Sequence, residues 1–248
     1  MRIWLICHLL LLCWASTARA DLGKLEYLTE EYPPYNFSDE QGQPTGLAVE
    51  LLQMVWKNSG VAPPPIRILP WARGYYLLPQ KPNVVLFSTA RTQAREDLFK
   101  CGCPIGYSEY ILLGRKAQNI TLTAFEQMSQ YKISAVRSDA AEQLLLNNGM
   151  DDNNIIPANR LNQAVKMLAS GRADLLATSK LAGYDALREM KLNSDDFNVA
   201  MVLSAEQLCY AFSRQVDDKE IKLFQSGLTR ALASQEFLKL QAKYLPIR

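Results

Sequence analysis

The chain has 248 residues, with 27 Lys+Arg against 25 Asp+Glu and a single histidine. So even a balance gives no general attraction for nucleic acid or for anionic membrane surfaces. The one imidazole, His8, falls within the first twenty residues, which read as an export leader. Arg2 supplies its positive start, Ile3 to Trp14 is an apolar run broken only by His8, and Ala18-Arg19-Ala20 puts small residues where a signal peptidase cuts. A run of about a dozen residues is short of the ~20 that span a membrane. Cys7 and Cys13 follow Ile6 and Leu12 rather than small residues, so lipid attachment is not expected. The expected product is a periplasmic protein of 248 − 20 = 228 residues starting at Asp21, with 27 − 2 = 25 basic and 25 acidic side chains. Without histidine it lacks Ser-His and Cys-His nucleophilic machinery, imidazole acid–base catalysis and ordinary His-containing zinc sites. No cofactor or metal is expected.

In chain order, Leu25 to Thr29 reads as a first strand. Between Gly46 and the stop at Gly60, Leu47, Leu51, Met54 and Val55 recur at helical spacing. Ile66 to Leu69 and Val84 to Ser88 are short strands, and Thr92 is placed to cap a helix whose first turn holds Arg95. Tyr110 to Gly114 is a strand. Thr123 to Glu126 and Asp139 to Glu142 both have capping-box spacing, the second just after a strand from Lys132 to Val136. An amphipathic helix from Leu161 to Ser170 closes at Gly171, followed by a strand from Ala173 to Ala177. A strand from Leu208 to Ser213 and two helices reaching Tyr244 end the chain. Alternating strands and helices define an α/β fold with a mostly parallel sheet covered on both faces. Ligands bind such sheets beyond the carboxyl ends of the strands, here near Tyr32, Trp71, Ser88, Arg137 and Thr178.

Those turns carry a resemblance that covers nearly the whole chain after the leader. Glu31-Tyr-Pro-Pro-Tyr-Asn-Phe37, Gly46-Leu-Ala-Val-Glu50, Pro70-Trp-Ala-Arg73, Ser88 to Arg95 with its Thr-x-x-Arg ending, and Gly171-Arg-Ala-Asp174 occur in that order. Together they resemble extracellular solute-binding protein family 3, the polar amino-acid type of binding protein that serves ABC importers. The resemblance implies the type II periplasmic-binding-protein fold. Lobe 1 would comprise residues 21–105 and 208–248, and lobe 2 residues 106–207. Two crossings, Ile105 to Glu109 and Leu203 to Gln207, would form the hinge.

By this resemblance Arg95 holds a ligand carboxylate, since a guanidinium can make two parallel charge-assisted bonds of ~1.5–3 kcal/mol each. Tyr32 and Trp71 would stack on the ligand, with Ser88 and Thr89 adding hydrogen bonds. In lobe 2, relatives often present backbone N–H groups to the carboxylate where this chain has Asp139, Ala140 and Ala141. An Asp at the N-cap satisfies those donors internally, leaving Arg137 and Ser138 as the nearby candidates. Ser179 stands where amino-acid binders carry the Asp that pairs with the α-ammonium, and a hydroxyl cannot neutralise a cation. Glu30, Glu31 or Asp185 would have to replace it, or the ligand is not an ordinary α-amino acid. Among the cysteines left after the leader, the side-by-side crossings of the family imply a disulfide from Cys209 to Cys101 or to Cys103. A Cys101–Cys103 bond and three free thiols are the alternatives.

The expected function is capture of a small anionic or zwitterionic solute by a monomer, for delivery to an inner-membrane ABC permease. The alternatives are an orphan protein that signals to a membrane sensor, and a dehydratase-like enzyme with Glu31 or Asp139 as its acid.

Overall fold

A computed structural model describes residues 21–245; the leader read over residues 1–20 lies outside them. Strand β1 (Glu26–Thr29) is followed by a small hairpin, β2 (Phe37–Ser38) with β3 (Pro44–Thr45), and by helix α1 (Leu47–Ser59). Gly46 starts α1 at φ 113°, and a Cβ there would lie 2.5 Å from the Tyr35 carbonyl oxygen. The helix buries Leu47, Leu51, Leu52, Val55 and Trp56, each of the large apolar chains contributing about 1.5–3 kcal/mol. Trp56 meets Tyr27 of β1 edge to face at 4.9 Å. It ends where Gly60 turns left-handed.

Next come β4 (Ile66–Ile68), α2 (Trp71–Gln80) and β5 (Val84–Arg91). Helix α2 does not stand out in the sequence, because Gly74 and Pro79 interrupt it. Gly74 has a packing reason: a Cβ there would come within 2.8 Å of Leu86 on β5. Arg95 sits in a single 3-10 turn, Gln93–Arg95, rather than a helix, and Thr92 makes no side-chain cap bond to it.

The long strand β6 (Lys100–Arg115) leads into the second half of the molecule: β7 (Ile133–Val136), α3 (Ala140–Asn147), β8 (Ile155–Ala158), α4 (Leu161–Ala169), β9 (Leu175–Ser179) and α5 (Lys180–Glu189). The box at Thr123 differs from the expected one. Gln127, not Glu126, reaches back, and its Oε1 accepts from the Thr123 and Ala124 N–H groups. The long strand β10 (Phe197–Phe212) returns to the first half, which α6 (Asp218–Leu232) and α7 (Gln235–Tyr244) complete.

All strands except the hairpin form one eight-stranded sheet, ordered β4-β1-β5-β10-β6-β9-β7-β8. Outside the central pair the strands of each half run parallel, β4-β1-β5 on one side and β9-β7-β8 on the other. The pairings that involve β6 and β10 are antiparallel. These two 16-residue strands pair from Phe197↔Arg115 to Phe212↔Lys100, with register shifts at three places. Such bulges bend a strand and add twist, so the central pair bends where it passes from one half to the other. Cys103 and Cys209 are bonded across this pair, Cα to Cα 4.7 Å, while Cys101 is a free, half-buried thiol. Among the described residues no helix is long and apolar enough to cross a membrane.

Candidate functional site

The loops after β1, β4, β5, β7 and β9 meet at the junction of the two halves. They enclose a narrow cavity of about 30 Å³, lined by Glu30, Tyr32, Trp71, Ser88, Tyr110, Asp139, Thr178 and Ser179 among others. A wider cavity of about 500 Å³ shares Glu30, Glu31, Trp71, Leu161 and Ala182 with it and continues past Arg160, Asp185 and Glu189. Both take walls from each half of the sheet.

Tyr32 stacks on Tyr35 at 5.5 Å, and its hydroxyl shares a 2.9 Å hydrogen bond with Ser108. Burial pushes the Tyr32 phenol well above its usual range. Trp71 opens α2, stacks on Tyr75 one turn later, and donates its indole N–H to the Ser138 carbonyl at 2.8 Å. Ser88 has left-handed backbone, φ 58°, and its hydroxyl donates to the Asn36 side-chain oxygen. Thr89 is fully buried and donates to the Leu86 carbonyl at 3.0 Å; it does not line the cavity. Ser179 caps α5, its hydroxyl accepting from the Ala182 N–H at 3.3 Å.

Arg95 is 1% exposed, a burial that demands partners for a charge. It reaches across the junction. Its Nε donates to Gln143 at 2.8 Å, Nη2 to the Ser138 carbonyl at 3.2 Å, and Nη1 to the Ala90 carbonyl at 3.4 Å. The guanidinium also lies over the rings of Tyr75 and Trp71, at 4.8 and 5.4 Å. Arg95 therefore stands behind the cavity wall and ties the β5 turn to α3. Ser138, with φ 61°, presents the carbonyl that both Trp71 and Arg95 use. Arg137 is exposed and lines neither cavity.

Asp139 caps α3, its Oδ1 accepting from the Ala140 N–H at 2.6 Å, while Glu142 reaches back to the Ser138 N–H at 2.6 Å. The box is thus shifted one residue from the spacing expected. Glu30 and Asp139 come from opposite halves and influence each other. Enclosure raises the Glu30 carboxyl well above its ordinary value, with the Asp139 charge adding to the rise and Arg95 opposing it. Asp139 is also raised by burial, against the pull of Arg95 and of the helix N–H groups. Tyr75 and Gln143 escaped the sequence reading, although each lies four residues after a residue already singled out, Trp71 and Asp139.

A sheet whose two halves share one long strand pair, with a polar and aromatic cavity at their junction, is the periplasmic-binding-protein fold. Residues 27–247 match the bacterial extracellular solute-binding proteins, family 3. The chain belongs to that family. No curated relative matches the sequence. Among solved structures, a histidine kinase sensor domain with similarity to periplasmic binding proteins aligns with TM-score 0.79 at 20% identity, covering 90% of this chain and 96% of that one. A substrate-binding protein of an ABC uptake transporter from Streptococcus pneumoniae, with bound histidine, aligns with TM-score 0.78 at 16% identity, covering 90% and 92%. The arginine-, lysine-, histidine-binding protein ArtJ from Geobacillus stearothermophilus aligns with TM-score 0.77 at 14% identity, covering 91% and 96%. At such identities these likenesses establish the fold.

Proposed function

We propose that the protein is exported, cut after Ala20, and works as a monomeric periplasmic receptor for a small carboxylated solute, zwitterionic or anionic. Lobe 1 (21–105 and 208–248) and lobe 2 (106–207) would hinge on the central strand pair, and an ABC permease of the inner membrane would receive the solute. The observation that carries this reading is the convergence of strand-end turns from both halves on one polar, aromatic-walled cavity. The binding of basic amino acids by two solved neighbours supports an amino-acid-like ligand.

Arg95 is the proposed carboxylate anchor. Three of its five N–H donors are used, on Gln143, Ser138 and Ala90. A slight opening of the lobes would withdraw Gln143 and Ser138 and offer the fork to a carboxylate. Tyr32, Trp71, Ser88 and Ser179 would form the wall around it, with Ser138 beside Trp71, while Thr89 and Arg137 stand outside it. An enzymatic role is disfavoured: Asp139 is spent on capping α3, and Glu31 is exposed and accepts from the Ser38 N–H. Signalling through a membrane sensor is the second reading, favoured by the likeness to a kinase sensor domain.

A thermal-shift screen of amino acids and related carboxylates, followed by calorimetric titration, tests the proposal. Stabilisation by at least one carboxylated solute is expected, lost in Arg95→Ala. A ligand whose affinity stays within threefold in Arg95→Ala would overturn the anchor.

A further inference from the structure

Three sulfurs meet between the start of β6 and the end of β10. Cys101 and Cys103 stand two residues apart on β6, on the same face of the strand. Cys209 lies across from them on β10, at the register shift between Leu208 and Tyr210. The three Sγ atoms are all within 4.8 Å of one another. Cys103 and Cys209 are bonded, and Cys101 is the free thiol. A free thiol against a disulfide has a chemistry of its own, because a thiolate can attack one sulfur of the bond and displace the other.

Burial distinguishes the two bonded sulfurs. Cys209 is 0% exposed, whereas Cys103 is only part-buried. A thiolate released at Cys103 would be partly solvated, and the more acidic thiol is the better leaving group. Attack on Cys209, with Cys103 leaving, is therefore the favoured direction. It also makes a bond between two strands, where attack on Cys103 would close a small ring between residues two apart. The Cys103 backbone is held independently of its sulfur: its N–H donates to Gln225 Oε1 at 3.1 Å, and its carbonyl accepts from Gln225 Nε2 at 2.9 Å. The released sulfur stays close, so the return attack remains open.

We propose that the Cys101 thiol exchanges with the Cys103–Cys209 disulfide, giving the crosslink of the central strand pair two positions. The Cys101 thiolate attacks Cys209 Sγ, and the Cys101–Cys209 bond forms as the Cys103–Cys209 bond breaks. Cys103 leaves as a thiolate and takes up the proton that Cys101 gave. One disulfide and one thiol stand on each side, so no oxidant or reductant is consumed. Cys101 pairs in register with Ala211, which makes Cys209 its diagonal neighbour. Such neighbours are about 7–8 Å apart at Cα in a regular ladder, at the edge of what a disulfide bridges. The new bond thus asks the strands to draw together, and Cys103–Cys209 remains the resting pairing. Exchange frees Cys103 from its covalent tie to β10, two residues before Ile105, where the first proposed crossing begins; this consequence rests on the hinge reading, and the exchange itself does not. Burial raises the Cys101 thiol above its ordinary value, with Arg91 pulling it down and Glu96 pushing it up. The attacking thiolate is therefore scarce at neutral pH, and the exchange is best followed at about pH 9.

The test treats the exported, folded protein with dilute iodoacetamide at about pH 9, so that labelling is slow, then quenches in acid and maps the peptides without reduction. Label divided between Cys101 and Cys103 is expected, with a Cys101–Cys209 bond in every molecule labelled at Cys103. Label on Cys101 alone would overturn the proposal. In Cys101→Ser the Cys103 label should vanish; if it persists, the attack does not come from Cys101 and the proposal fails. Cys103→Ser keeps Cys101 and Cys209, and after export and denaturation it should show no free thiol. Two free thiols in that variant would overturn the proposal as well.

Discussion

Trp71 and Ser138 are joined across the junction of the two halves, the indole Nε1 donating to the Ser138 carbonyl at 2.8 Å. The same oxygen accepts from Arg95 at 3.2 Å, so one backbone carbonyl, held out by a left-handed residue, gathers donors from two loops of the other half. These bonds tie the two halves together beside the cavity. A ligand must compete with them or add to them, and its apparent affinity depends on how far they have already paid the cost of closing.

Trp71→Phe keeps an aromatic face against Tyr75 while removing the indole N–H together with part of the buried ring surface. A neutral hydrogen bond contributes about 0.5–1.5 kcal/mol net, so the affinity for solute should fall by roughly threefold to tenfold if the bond helps closure. Calorimetric titration reads this directly. Affinity unchanged in Trp71→Phe would mean that the Trp71–Ser138 bond does not contribute to the bound state.

Arg95→Ala should do more than weaken binding. It deletes three hydrogen bonds and two ring contacts from a side chain that is 1% exposed, and it leaves Glu30 and Asp139 without their one nearby positive charge. The expected loss of solute affinity is ~3–5 kcal/mol, the range for breaking a buried charge contact. The ligand-free melting temperature should fall as well, by about 5 °C or more. Arg95→Lys should restore little of either, because an ammonium cannot copy the planar fork.

Much of this arrangement is visible in the sequence, and the limits have physical causes. Helix α1 is legible because Gly46 and Gly60 punctuate a clean apolar stripe. The two crossing strands read as short, Tyr110 to Gly114 and Leu208 to Ser213, because the first part of β6 carries Gly102, Pro104, Gly106 and Ser108 and the first part of β10, from Phe197 to Gln207, has no steady alternation. They are strands because they pair with each other, a tertiary cause that overrides local propensity. Strand β9 is displaced to Leu175–Ser179 from the expected Ala173 to Ala177, an error of two residues at a boundary. At the candidate site, strand ends alone point to Tyr32, Trp71, Ser88 and Thr178, which line the cavity, and to Arg137, which does not; Ser179 comes only with the resemblance. That Arg95 points at Ser138 and Gln143 could not be found from them, since it depends on how the halves meet.

The cysteine alternatives resolve to one pairing, and thiol counting checks it. Cys103 and Cys209 are 106 residues apart in sequence, and closing a loop of that size restricts the unfolded chain strongly, typically by 2–4 kcal/mol of folding stability. The exported protein, denatured without reductant, should show one reactive thiol, Cys101. Reduction should lower the denaturant midpoint without abolishing the fold. Three thiols before reduction would refute the bond, and a Cys101–Cys103 crosslink in peptide mapping would refute the pairing.

Gly46→Ala should be costly out of proportion to the single methyl it adds. At φ 113° an L-residue is strained whatever its surroundings, and here its Cβ would also meet the Tyr35 carbonyl oxygen at 2.5 Å. Tyr35 is 3% exposed and its hydroxyl donates to the Tyr107 carbonyl at 3.0 Å, so the loop that carries Tyr32 cannot move away freely. A loss of about 2–4 kcal/mol in chemical unfolding is expected. A loss below 0.5 kcal/mol would show that the loop from Tyr32 to Gly46 adapts more readily than its packing implies.

The pH dependence of the ligand-free protein offers a measurement that needs no ligand at all. Glu30 and Asp139 are raised above their ordinary values, first by burial and then, for Glu30, by the charge of Asp139. A carboxyl that is harder to ionise in the folded chain binds more protons folded than unfolded between the two pKa values, so stability falls as pH climbs through that window. The window opens near the unfolded carboxylate value of about 4 and closes at the raised folded value; above it the penalty is constant. Glu30→Gln removes the more strongly raised member and relieves the other of a neighbouring charge. Its melting temperature should therefore match the parent protein at the acid end of this window and exceed it increasingly as pH rises through the window. Ionised groups elsewhere, such as Glu26 with its lowered value beside Lys81 and Arg67, are common to both proteins and cancel in the difference. A difference curve that stays flat from pH 4 to pH 8 would mean that Glu30 ionises as freely in the fold as in water, and the acid pair would then exert no strain on the fold.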